Sequence, residues 1–592
     1  VQATPEVVPL ESQEQPIQLP DPQEESTSQD TASKPVKVPE VVVKDVKERS
    51  DSYTADDANT ATRIQVPIHD TPRSVEVVTR QVLDDQKVIR LENAVRNVSG
   101  VFNGGAGNGQ RSENFTIRGF NSSLNTFKNG FRDDSEFGNR AMRDTANIER
   151  VEVVKGPPSY LFGRSDPGGI VNQITKNPLK NSYYSGEMIF GNYSLYRPTI
   201  DIGGPINDSK TLTYRFNGIY ETANSYREGV HTERIFLAPT LGWEIGSRTT
   251  IRFEGEYLKD KAPIDRGIVA LGNGPAPISI RSFLGDPNRI DEMEQGKATL
   301  ILLHDFNDKW RYRSGFRAAV NSEKYDSLES WILDPTTGNL SLARFQLPQQ
   351  TQSFYWQNEI HGKFHTGSLF HRLLFGVELG REVHTARDQK GDFAGFGSFI
   401  NIFNTNDRLF VNTAMDNSNI FNSSKSTNGI IGIYAGDQID LLENLHLHAG
   451  GRFDIFEQKL QNYAVPGVLD ASQDEQTNTA FSPSIGLTYQ PWKPVAIYAN
   501  YTKSFAPQTA GARAENGTLF DPERGQQYEA GIKFQAFDGR LRSSVAVFNI
   551  KKKNVLTPDL SNRLFSIATG EQRSRGVEFD VAGQILPGWE VI

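Results

Sequence analysis

The chain of 592 residues carries a formal net charge of −9 and contains no cysteine, which rules out disulfides and thiolate metal sites and argues against nucleic acid as a partner. Only 37% of the residues are hydrophobic, and no run approaches the ~20 apolar residues of a membrane-spanning helix. These values exclude a helical membrane protein but leave a membrane β-barrel open, because its strands show only alternation. The chain starts at Val1 without an apolar leader, so we expect any signal peptide to have been removed or left out of this sequence.

Residues 1–60 predict a disordered linker, because proline, glutamine and acidic residues dominate and few side chains could be buried. One β-branched run, PEVVV at 39–43, interrupts it. A run of this kind can add itself as a strand to the sheet edge of a partner. It can equally be a chance group of valines in a linker, and the residues alone leave both interpretations open.

Residues 61–180 predict a compact α+β domain. Hydrophobic spacing indicates a strand over 74–78, a helix over 80–98 and a strand over 115–120. The stretch 149–178, ERVEVVKGPPSYLFGRSDPGGIVNQITKNP, contains two short strands on either side of a turn-rich middle. Its glycines permit tight backbone turns that other residues disfavour. We therefore expect a small domain with many turns.

From residue 181 onward the pattern changes to long strands of period two. In 310–320, for example, apolar and aromatic residues alternate with Arg311, Arg313 and Arg317. In a soluble sandwich the apolar face of such strands would pack on a second sheet. In a membrane barrel it would face lipid, and the polar face would line a wet interior.

The connections between these strands favour the barrel. Tight turns alternate with long polar segments, so that every other strand end carries a large loop, which is the asymmetry of an outer-membrane barrel. Eight tight turns imply sixteen strands, and a seventeenth starts near Trp589. A plugged barrel of this class needs about 22 strands, so we expect about five C-terminal strands to be missing from this sequence. The longest polar segments are 259–296, 384–427, 458–480 and 504–524.

Several segments together resemble TonB-dependent outer-membrane receptors for ferric siderophores, in the branch that includes the ferrichrome receptors. The resemblance implies an N-terminal α+β plug, residues 61–180, inside a 22-stranded antiparallel transmembrane β-barrel that starts at residue 181, with about 17 strands present. The segments that carry it are TPRSVEVVTRQVLDDQ at 71–86, LENAVRNVSGV at 91–101, IRGF at 117–120, the stretch 149–178, GQQYEAGIKF at 525–534 and RSRGVEFD at 573–580.

The resemblance also implies a function, namely active import of a ferric siderophore. The partners would be TonB with its ExbB/ExbD energising complex and the lipid of the outer membrane, the N-terminal tail would lie in the periplasm, and the receptor would be a monomer. In such receptors a TonB box near the N-terminus pairs as a strand with TonB. The matching residues here are Glu40, Val41, Val42 and Val43.

A charge cluster between plug and barrel is a second implication of the resemblance. Ferrichrome-type receptors hold the plug with two plug cations and two barrel glutamates. The alternation of the strands independently puts both glutamates on the face that lines the lumen, where they could form charge-assisted hydrogen bonds with the plug cations. The alternative is that all four are ordinary lumen charges surrounded by water. The matching positions are Arg118, Lys155, Glu529 and Glu578.

A siderophore satisfies the coordination of iron by itself, so the protein needs neither a metal ligand nor a cofactor. It needs aromatic faces and hydrogen-bond donors around a bulky chelate. In the family these lie partly on apex loops of the plug, here 103–113, 121–129 and 133–143. A purely structural role is the alternative for each of the expected contact residues, which are Arg111, Phe127, Phe137 and Arg140.

Two apex positions depart from the ferrichrome receptors, because Ala106 replaces an arginine and Gly138 replaces a tyrosine. Another hydroxamate or a mixed citrate–hydroxamate chelate therefore fits as well as ferrichrome. We expect no enzyme activity, because no catalytic triad, phosphate loop or metal-ligand motif stands in a suitable context. A passive porin would need no plug. The remaining alternative is TonB-dependent import of another chelate, such as haem or cobalamin.

Overall fold

The computed structural model describes residues 52–592 except 65, 104–110, 112, 134–142, 393–396, 412–413, 466, 468–469, 510 and 563–564. The predicted linker therefore lies almost wholly outside the described residues, as does the predicted TonB box. Among the described residues, no helix is both long enough and apolar enough to cross a membrane.

The plug occupies the N-terminal part of the described chain. Its main sheet has the order β1-β7-β8-β5-β6, in which β5 and β8 are parallel and the other neighbours antiparallel, and β2, β3 and β4 form a second sheet. The elements are β1 (Val75–Val78), α1 (Arg80–Asp85), α2 (Leu91–Ala94), β2 (Val101–Asn103), β3 (Phe115–Ile117), β4 (Phe120–Asn121), β5 (Thr126–Lys128), β6 (Phe131–Arg132), β7 (Ile148–Lys155), α3 (Ser159–Phe162) and β8 (Gly169–Thr175), preceded by a 3-10 turn at Ile68–Asp70.

Two plug predictions need correction. The single helix predicted over 80–98 is wrong, because α1 and α2 are separated by a turn in which Lys87 has a φ of 50°. The single strand predicted over 115–120 is also wrong, because Arg118 and Gly119 have φ values of 50° and 82° and form the turn between β3 and β4. Such left-handed backbone ends a helix or a strand.

The plug has its own hydrophobic core. The helices α1 and α2 bury Val82, Leu83 and Leu91 against residues of β3 and β7, such as Phe115 and Val151. This is the burial expected of a helix face with 3.6-residue spacing. A second cluster combines the α3 residues with Leu374 and Tyr434 of the barrel, so the plug and the barrel share part of their packing.

The remaining long strands form one antiparallel sheet that closes into a barrel. The strands are β9 (Tyr183–Gly191), β10 (Leu195–Pro205), β11 (Leu212–Asn224), β12 (His231–Ile245), β13 (Thr249–Ala262), the loop strands β14 (Ala270–Leu271) and β15 (Gly274–Pro275), β16 (Asp291–Asn307), β17 (Trp310–Leu333), β18 (Asn339–Thr366), β19 (Leu369–Gly391), β20 (Phe399–Asn401), β21 (Asn404–Leu409), β22 (Ile420–Leu442), β23 (Leu445–Asn462), β24 (Ser472–Trp492), β25 (Val495–Ala506), β26 (Glu523–Ala536), β27 (Leu541–Pro558), β28 (Ser566–Leu586) and β29 (Trp589–Val591).

The alternation along the strands separates two faces. Phe316 of β17 pairs across the sheet with Trp356 of β18, which pairs with Leu379 of β19, and all three are exposed on the outside of the barrel. The next residue, Arg317, is only 3% exposed and points inward. The outer face is therefore apolar, as a lipid-facing band requires, and the inner face is polar.

The predicted asymmetry of the connections is confirmed in its main feature. Short turns, such as those from Thr366 to Leu369 and from Ala536 to Leu541, join strands at one end of the barrel, and all the long segments lie at the other. We call these the turn end and the loop end. The strict alternation is wrong at two places, because residues 192–194 alone join β9 to β10 at the loop end, and residues 334–338 alone join β17 to β18 there. The strands are several residues longer than predicted. For example, β19 ends at Gly391 and β22 begins at Ile420, both inside the predicted polar segment 384–427. At the loop end, β14 with β15 and β20 with β21 form further hairpins.

Candidate functional site

The four residues predicted to hold the plug in the barrel lie together. Arg118 comes from the turn between β3 and β4, and Lys155 is the last residue of β7. Glu529 lies on β26 and Glu578 on β28, both on the lumen side. Together with Asp580 on β28 we call them the Arg118 cluster. Whether this cluster controls the plug in the living receptor stays a prediction.

The guanidinium of Arg118 joins the two predicted glutamates. Its Nη1 donates to Glu529 Oε2 at 2.5 Å, and its Nη2 donates to Glu578 Oε2 at 2.8 Å. Nη1 also donates to the amide oxygen of Gln527 at 2.9 Å. The guanidinium lies 4.3 Å from the ring centre of Phe548, within cation–π distance. Charge-assisted bonds of this kind are stronger than neutral ones.

The principal partner of Lys155 is Asp580 and not one of the two predicted glutamates. Its Nζ lies 2.9 Å from Asp580 Oδ2 but 3.6 Å from Glu578 Oε2. The Nζ also donates to Ser99 Oγ at 2.7 Å. Ser99 in turn donates to Asp580 from both its backbone N–H and its hydroxyl. The ammonium is therefore fully paired within the interface.

Burial makes these pairs strong constraints on position. The side chains of Arg118 and Lys155 are completely buried. Burial by itself lowers the pKa of the Arg118 guanidinium, but the charges of Glu529 and Glu578 and their hydrogen bonds outweigh it and raise the pKa. The arginine thus stays charged. Removing one partner from a buried pair of this kind costs about 3–5 kcal/mol, because a charge is left uncompensated.

Local sequence explains how the cluster is assembled. The positive φ at Arg118 and Gly119 makes a tight turn that projects the arginine from the plug toward β26 and β28. In the barrel, the period of two puts Glu578 and Asp580 on the same face. Asp580 was not predicted to belong to the cluster, although the alternation that puts Glu578 on the lumen face also puts Asp580 there. Gln527 stands in the same relation to Glu529.

The site predicted for the siderophore is described only in part. Phe137 and Arg140 lie outside the described residues. Arg111 is buried, with its Nε 2.7 Å from Asp291 Oδ2 and its Nη2 2.6 Å from Asp260 Oδ1, so it links the plug to β13 and β16. In this conformation its guanidinium is engaged by the barrel wall, and its contact with a chelate stays a prediction.

Phe127 is buried as well. It is 2% exposed, and its ring meets that of Phe162 edge to face at 4.6 Å, with the guanidinium of Arg132 at 4.8 Å from its centre. Its place on β5, inside the main sheet of the plug, accounts for this burial. The ring is part of the core in this conformation, so contact with a chelate would require the surrounding residues to move.

Ion pairs also join the plug to other parts of the barrel wall. Arg164 of the plug is bonded to Glu382 of β19 at 2.6 Å, and Lys128 is bonded to Glu256 of β13 at 2.7 Å. Asp133, the first residue of the third predicted apex loop, lies 2.8 Å from Lys297 of β16. Burial would raise the pKa of Asp133, but the charges of Lys297 and neighbouring cations hold it well below its usual range. The plug is therefore restrained on several sides.

Among the described residues there is no group of three or more histidine and carboxylate side chains that could hold a metal ion. The arrangement instead combines an apolar outer band, a polar lumen and a folded domain fixed in that lumen by buried ion pairs. These features define a plugged outer-membrane receptor, since an open pore would contain no such domain.

Family models support this assignment. The model described as "TonB dependent receptor-like, beta-barrel" matches residues 242–592, and that of the "TonB-dependent Receptor Plug Domain" matches residues 67–170. The chain belongs to the TonB-dependent receptor family, and it is an outer-membrane β-barrel protein.

The relatives are receptors for several metal chelates. The metal-pseudopaline receptor CntO of Pseudomonas aeruginosa is 30% identical over 90% of this chain and 74% of its own length. The ferrichrome outer membrane transporter/phage receptor of Escherichia coli is 27% identical over the same shares.

Solved structures share the fold. The ferripyoverdine receptor of Pseudomonas aeruginosa is 22% identical, with a TM-score of 0.81 over 91% of this chain and 72% of that one. The closed form of the ferric-catecholate receptor Fiu from Escherichia coli is 23% identical, with a TM-score of 0.78 over 91% of this chain and 81% of that one.

Proposed function

We propose that this receptor imports a ferric siderophore across the outer membrane, with energy supplied through TonB. The observation that carries the proposal is a folded plug held inside the barrel by buried ion pairs, centred on Arg118 with Glu529 and Glu578. A plug restrained in this way blocks passive flow. Passage of a bulky chelate then needs work on the plug, which a partner pulling on the N-terminal tail can supply.

The chemistry of the imported chelate is the finer part of the proposal. A hydroxamate siderophore is our first candidate, and the similarity to the ferrichrome transporter and to the ferrioxamine B receptor of Salmonella typhimurium supports it. The metal-pseudopaline receptor supports a second candidate, a pseudopaline chelate. The catecholate siderophore receptor Fiu is 26% identical over 89% of this chain, so a catecholate siderophore is a third candidate. The protein would supply no metal ligand to any of them.

The energy source follows from family membership. The tail would carry the TonB box at Glu40–Val43, and this strand would pair with an edge strand of TonB. Main-chain hydrogen bonds give such a pairing its strength, so the β-branched valines suit it. The ExbB/ExbD complex would then provide the force, and the receptor would work as a monomer.

Binding of a ligand panel tests the proposal. The panel holds ferric ferrichrome, ferric ferrioxamine B, a ferric catecholate, metal–pseudopaline, haem and cobalamin. Binding is followed by quenching of tryptophan fluorescence in the purified receptor. We expect one siderophore class to bind far more tightly than the others, and iron uptake from that chelate to stop in cells without TonB. Preferential binding of haem or cobalamin, or uptake that does not depend on TonB, would overturn the proposal.

A further inference from the structure

The outer face of the barrel carries an excess of positive charge at the loop end of β25–β28. In β26, Tyr528 is 57% exposed, and Phe537, just after the strand, is 51% exposed. The two rings mark the edges of the apolar band, since about 9–11 residues of a strand cross a membrane. The short turns of an outer-membrane barrel face the periplasm, so residues beyond Tyr528 lie at the level of the lipid headgroups in the outer leaflet.

Two rows of outward-facing residues lie beyond Tyr528, and the cross-strand register fixes their members. The first row runs across four strands and consists of Lys503, Gln526, Lys551 and Arg573. The second row consists of Arg524, Lys553 and Glu571. Arg575 stands one row lower, beside Asn549, which is paired with Tyr528. We call the six basic residues the basic patch: Lys503, Arg524, Lys551, Lys553, Arg573 and Arg575.

The basic patch has too few acidic partners to neutralise it. Glu571 is the one acidic residue in the two rows, and it lies 3.1 Å from Lys551 Nζ and 3.8 Å from Lys553 Nζ. The other four members form no salt bridge with any residue that the structure describes. Lys551 and Arg573 lie directly opposite each other, as do Arg524 and Lys553. Like charges placed in this way destabilise a sheet, and a bound anion would remove the repulsion.

Outward-facing lysines near the loop end of other strands have glutamate partners. Lys459 of β23 lies 2.8 Å from Glu457 and 3.1 Å from Glu475 of β24. Three lysines of β13 and β17 surround Glu292 of β16 at 3.1–3.7 Å, namely Lys259, Lys261 and Lys324. The ratio of six cations to one carboxylate on β25–β28 is therefore not a general property of this surface.

The position of the basic patch favours a membrane lipid as its occupant. Directly below the first row, the rings of Tyr501 and Tyr528 lie 4.9 Å apart, and such amphipathic rings are typical of the membrane–water interface. Lysine and arginine bind phosphate through charge-assisted hydrogen bonds, and the arginine fork can form two of them at once. Neighbouring strands are about 4.8 Å apart, so the first row is about 14 Å wide and has room for two phosphate groups.

We propose that the basic patch binds a phosphorylated lipid of the outer leaflet. The first row holds the phosphate groups, and the acyl chains lie against Tyr528 and the apolar residues below it. All six basic residues stand on the outward face of their strands, so this site is separate from the lumen and from the Arg118 cluster. The bound lipid neutralises the repulsion between the rows and holds β25–β28 at a fixed height in the membrane. The proposal does not depend on the identity of the imported chelate.

Two lipids that differ only in their phosphate groups test the proposal. The purified receptor in a nonionic detergent is titrated with diphosphoryl lipid A and, separately, with the same lipid after removal of its phosphates. Native mass spectrometry counts the complexes. One variant combines Lys503→Gln, Lys551→Gln and Arg573→Gln, which removes the charges of the first row. The matched control combines Lys259→Gln, Lys261→Gln and Lys459→Gln, which removes three charges from faces that contain glutamates.

We expect the parent to prefer the phosphorylated lipid by about 100-fold, because three basic residues of the first row face its phosphates. The first-row variant should lose this preference, and the control variant should keep it. Equal binding of the two lipids by the parent, or equal loss of the preference in both variants, overturns the proposal. The comparison of the two lipids on the parent requires no variant, and heat-modifiable migration in electrophoresis verifies that each variant is a folded barrel.

Competition distinguishes a lipid site from a site for a free anion. Inorganic phosphate at the phosphate concentration of the bound lipid should leave the complex intact, because the acyl chains add apolar contacts that a free anion cannot make. Complete displacement of the lipid under these conditions would identify a free-anion site and overturn the assignment to a lipid.

Discussion

Arg118 Nη2 of the plug lies 2.8 Å from Glu578 Oε2 of the barrel, although 460 residues separate the two in sequence. Both side chains are almost completely buried. A pair of this kind holds the position of two domains more than it stabilises either of them, because its desolvation cost offsets much of its attraction. Loss of one member then costs much of the free energy that seats the plug, since the other member stays buried and unpaired.

Charge reversal of this pair should unseat the plug. We expect Arg118→Glu and Glu578→Arg each to weaken plug seating by about 3–5 kcal/mol, the usual cost of breaking a buried pair. The double variant should regain only part of the loss, because the exchanged pair is restored but the carboxylate at position 118 then lies against Glu529. Hydrogen exchange of the amides in β3 and β7 of the purified receptor measures seating.

The control for this swap is an exposed pair. Lys87 of the plug and Glu187 of β9 lie 2.7 Å apart, but more than 40% of each side chain is exposed. Reversal of either charge should change exchange very little, since surface pairs contribute about 0–1 kcal/mol. A double variant of Arg118 and Glu578 that exchanges as fast as the two single variants combined would show that the pair does not hold the plug.

Much of the fold could be predicted because period two is a local property. The alternation in 310–320 and the eight short turns depend on neighbouring residues only, and the predicted start of the seventeenth strand coincides with β29 at Trp589. The break of the helix over 80–98 could not be seen, because nothing in the residue types around Lys87 demands a positive φ. Tertiary packing decides such positions.

The candidate site could be predicted where the resemblance supplied the positions and the alternation supported them. Glu529 and Glu578 match the family's positions and lie on the lumen face of their strands, and Asp580 lies on the same face by the same alternation. The contacts of Arg111 could not be predicted in this way, because its partners Asp260 and Asp291 lie on strands far away in sequence. Only the packing of plug against wall shows that its guanidinium is engaged there.

Gly168 is a position where a side chain has no room. A Cβ added there would lie 2.4 Å from the carbonyl oxygen of Ile117 and 2.8 Å from Ser122 Oγ. We expect Gly168→Ala to destabilise the plug by about 1–3 kcal/mol, the typical cost of overpacking. Faster exchange of amides in β3 and β8 would report it. Gly296→Ala is the control, because a Cβ there meets nothing within 4 Å. Equal exchange in the two variants would contradict the prediction.

Glu76 should make plug seating depend on pH. Burial raises the pKa of its carboxyl to about 7, with Asp580 acting in the same direction and Lys155 and Lys533 opposing it. The ordinary value is 4.5, so between these values the seated plug binds more protons than the released one. Its contribution to seating is therefore complete at low pH and is lost as the pH rises toward 7.

Comparison with Glu76→Gln isolates this contribution. Exchange of the β1 amides, corrected for its intrinsic pH dependence, should rise from pH 5 to pH 8 more steeply in the parent than in the variant. His69 and Glu76 line one cavity between the plug and the barrel wall. Burial lowers the pKa of the His69 imidazole, so the effect of His69 on seating has the opposite sign and is present in both proteins. Identical pH profiles of the parent and the variant would show that Glu76 does not make plug seating depend on pH.

Val42, in the predicted TonB box, should be essential for import but not for binding. Proline at this position has no N–H to give to a neighbouring strand and is poorly tolerated inside a sheet. We expect Val42→Pro to abolish uptake of the ferric chelate while the fluorescence titration of the purified receptor gives an unchanged affinity, because none of the residues predicted to contact the chelate lies in the linker. The control is Val7→Pro, another valine of the predicted linker, which should import normally. Normal uptake by Val42→Pro would mean that TonB is engaged elsewhere in the chain, and loss of uptake in both variants would mean that the whole linker is sensitive to proline.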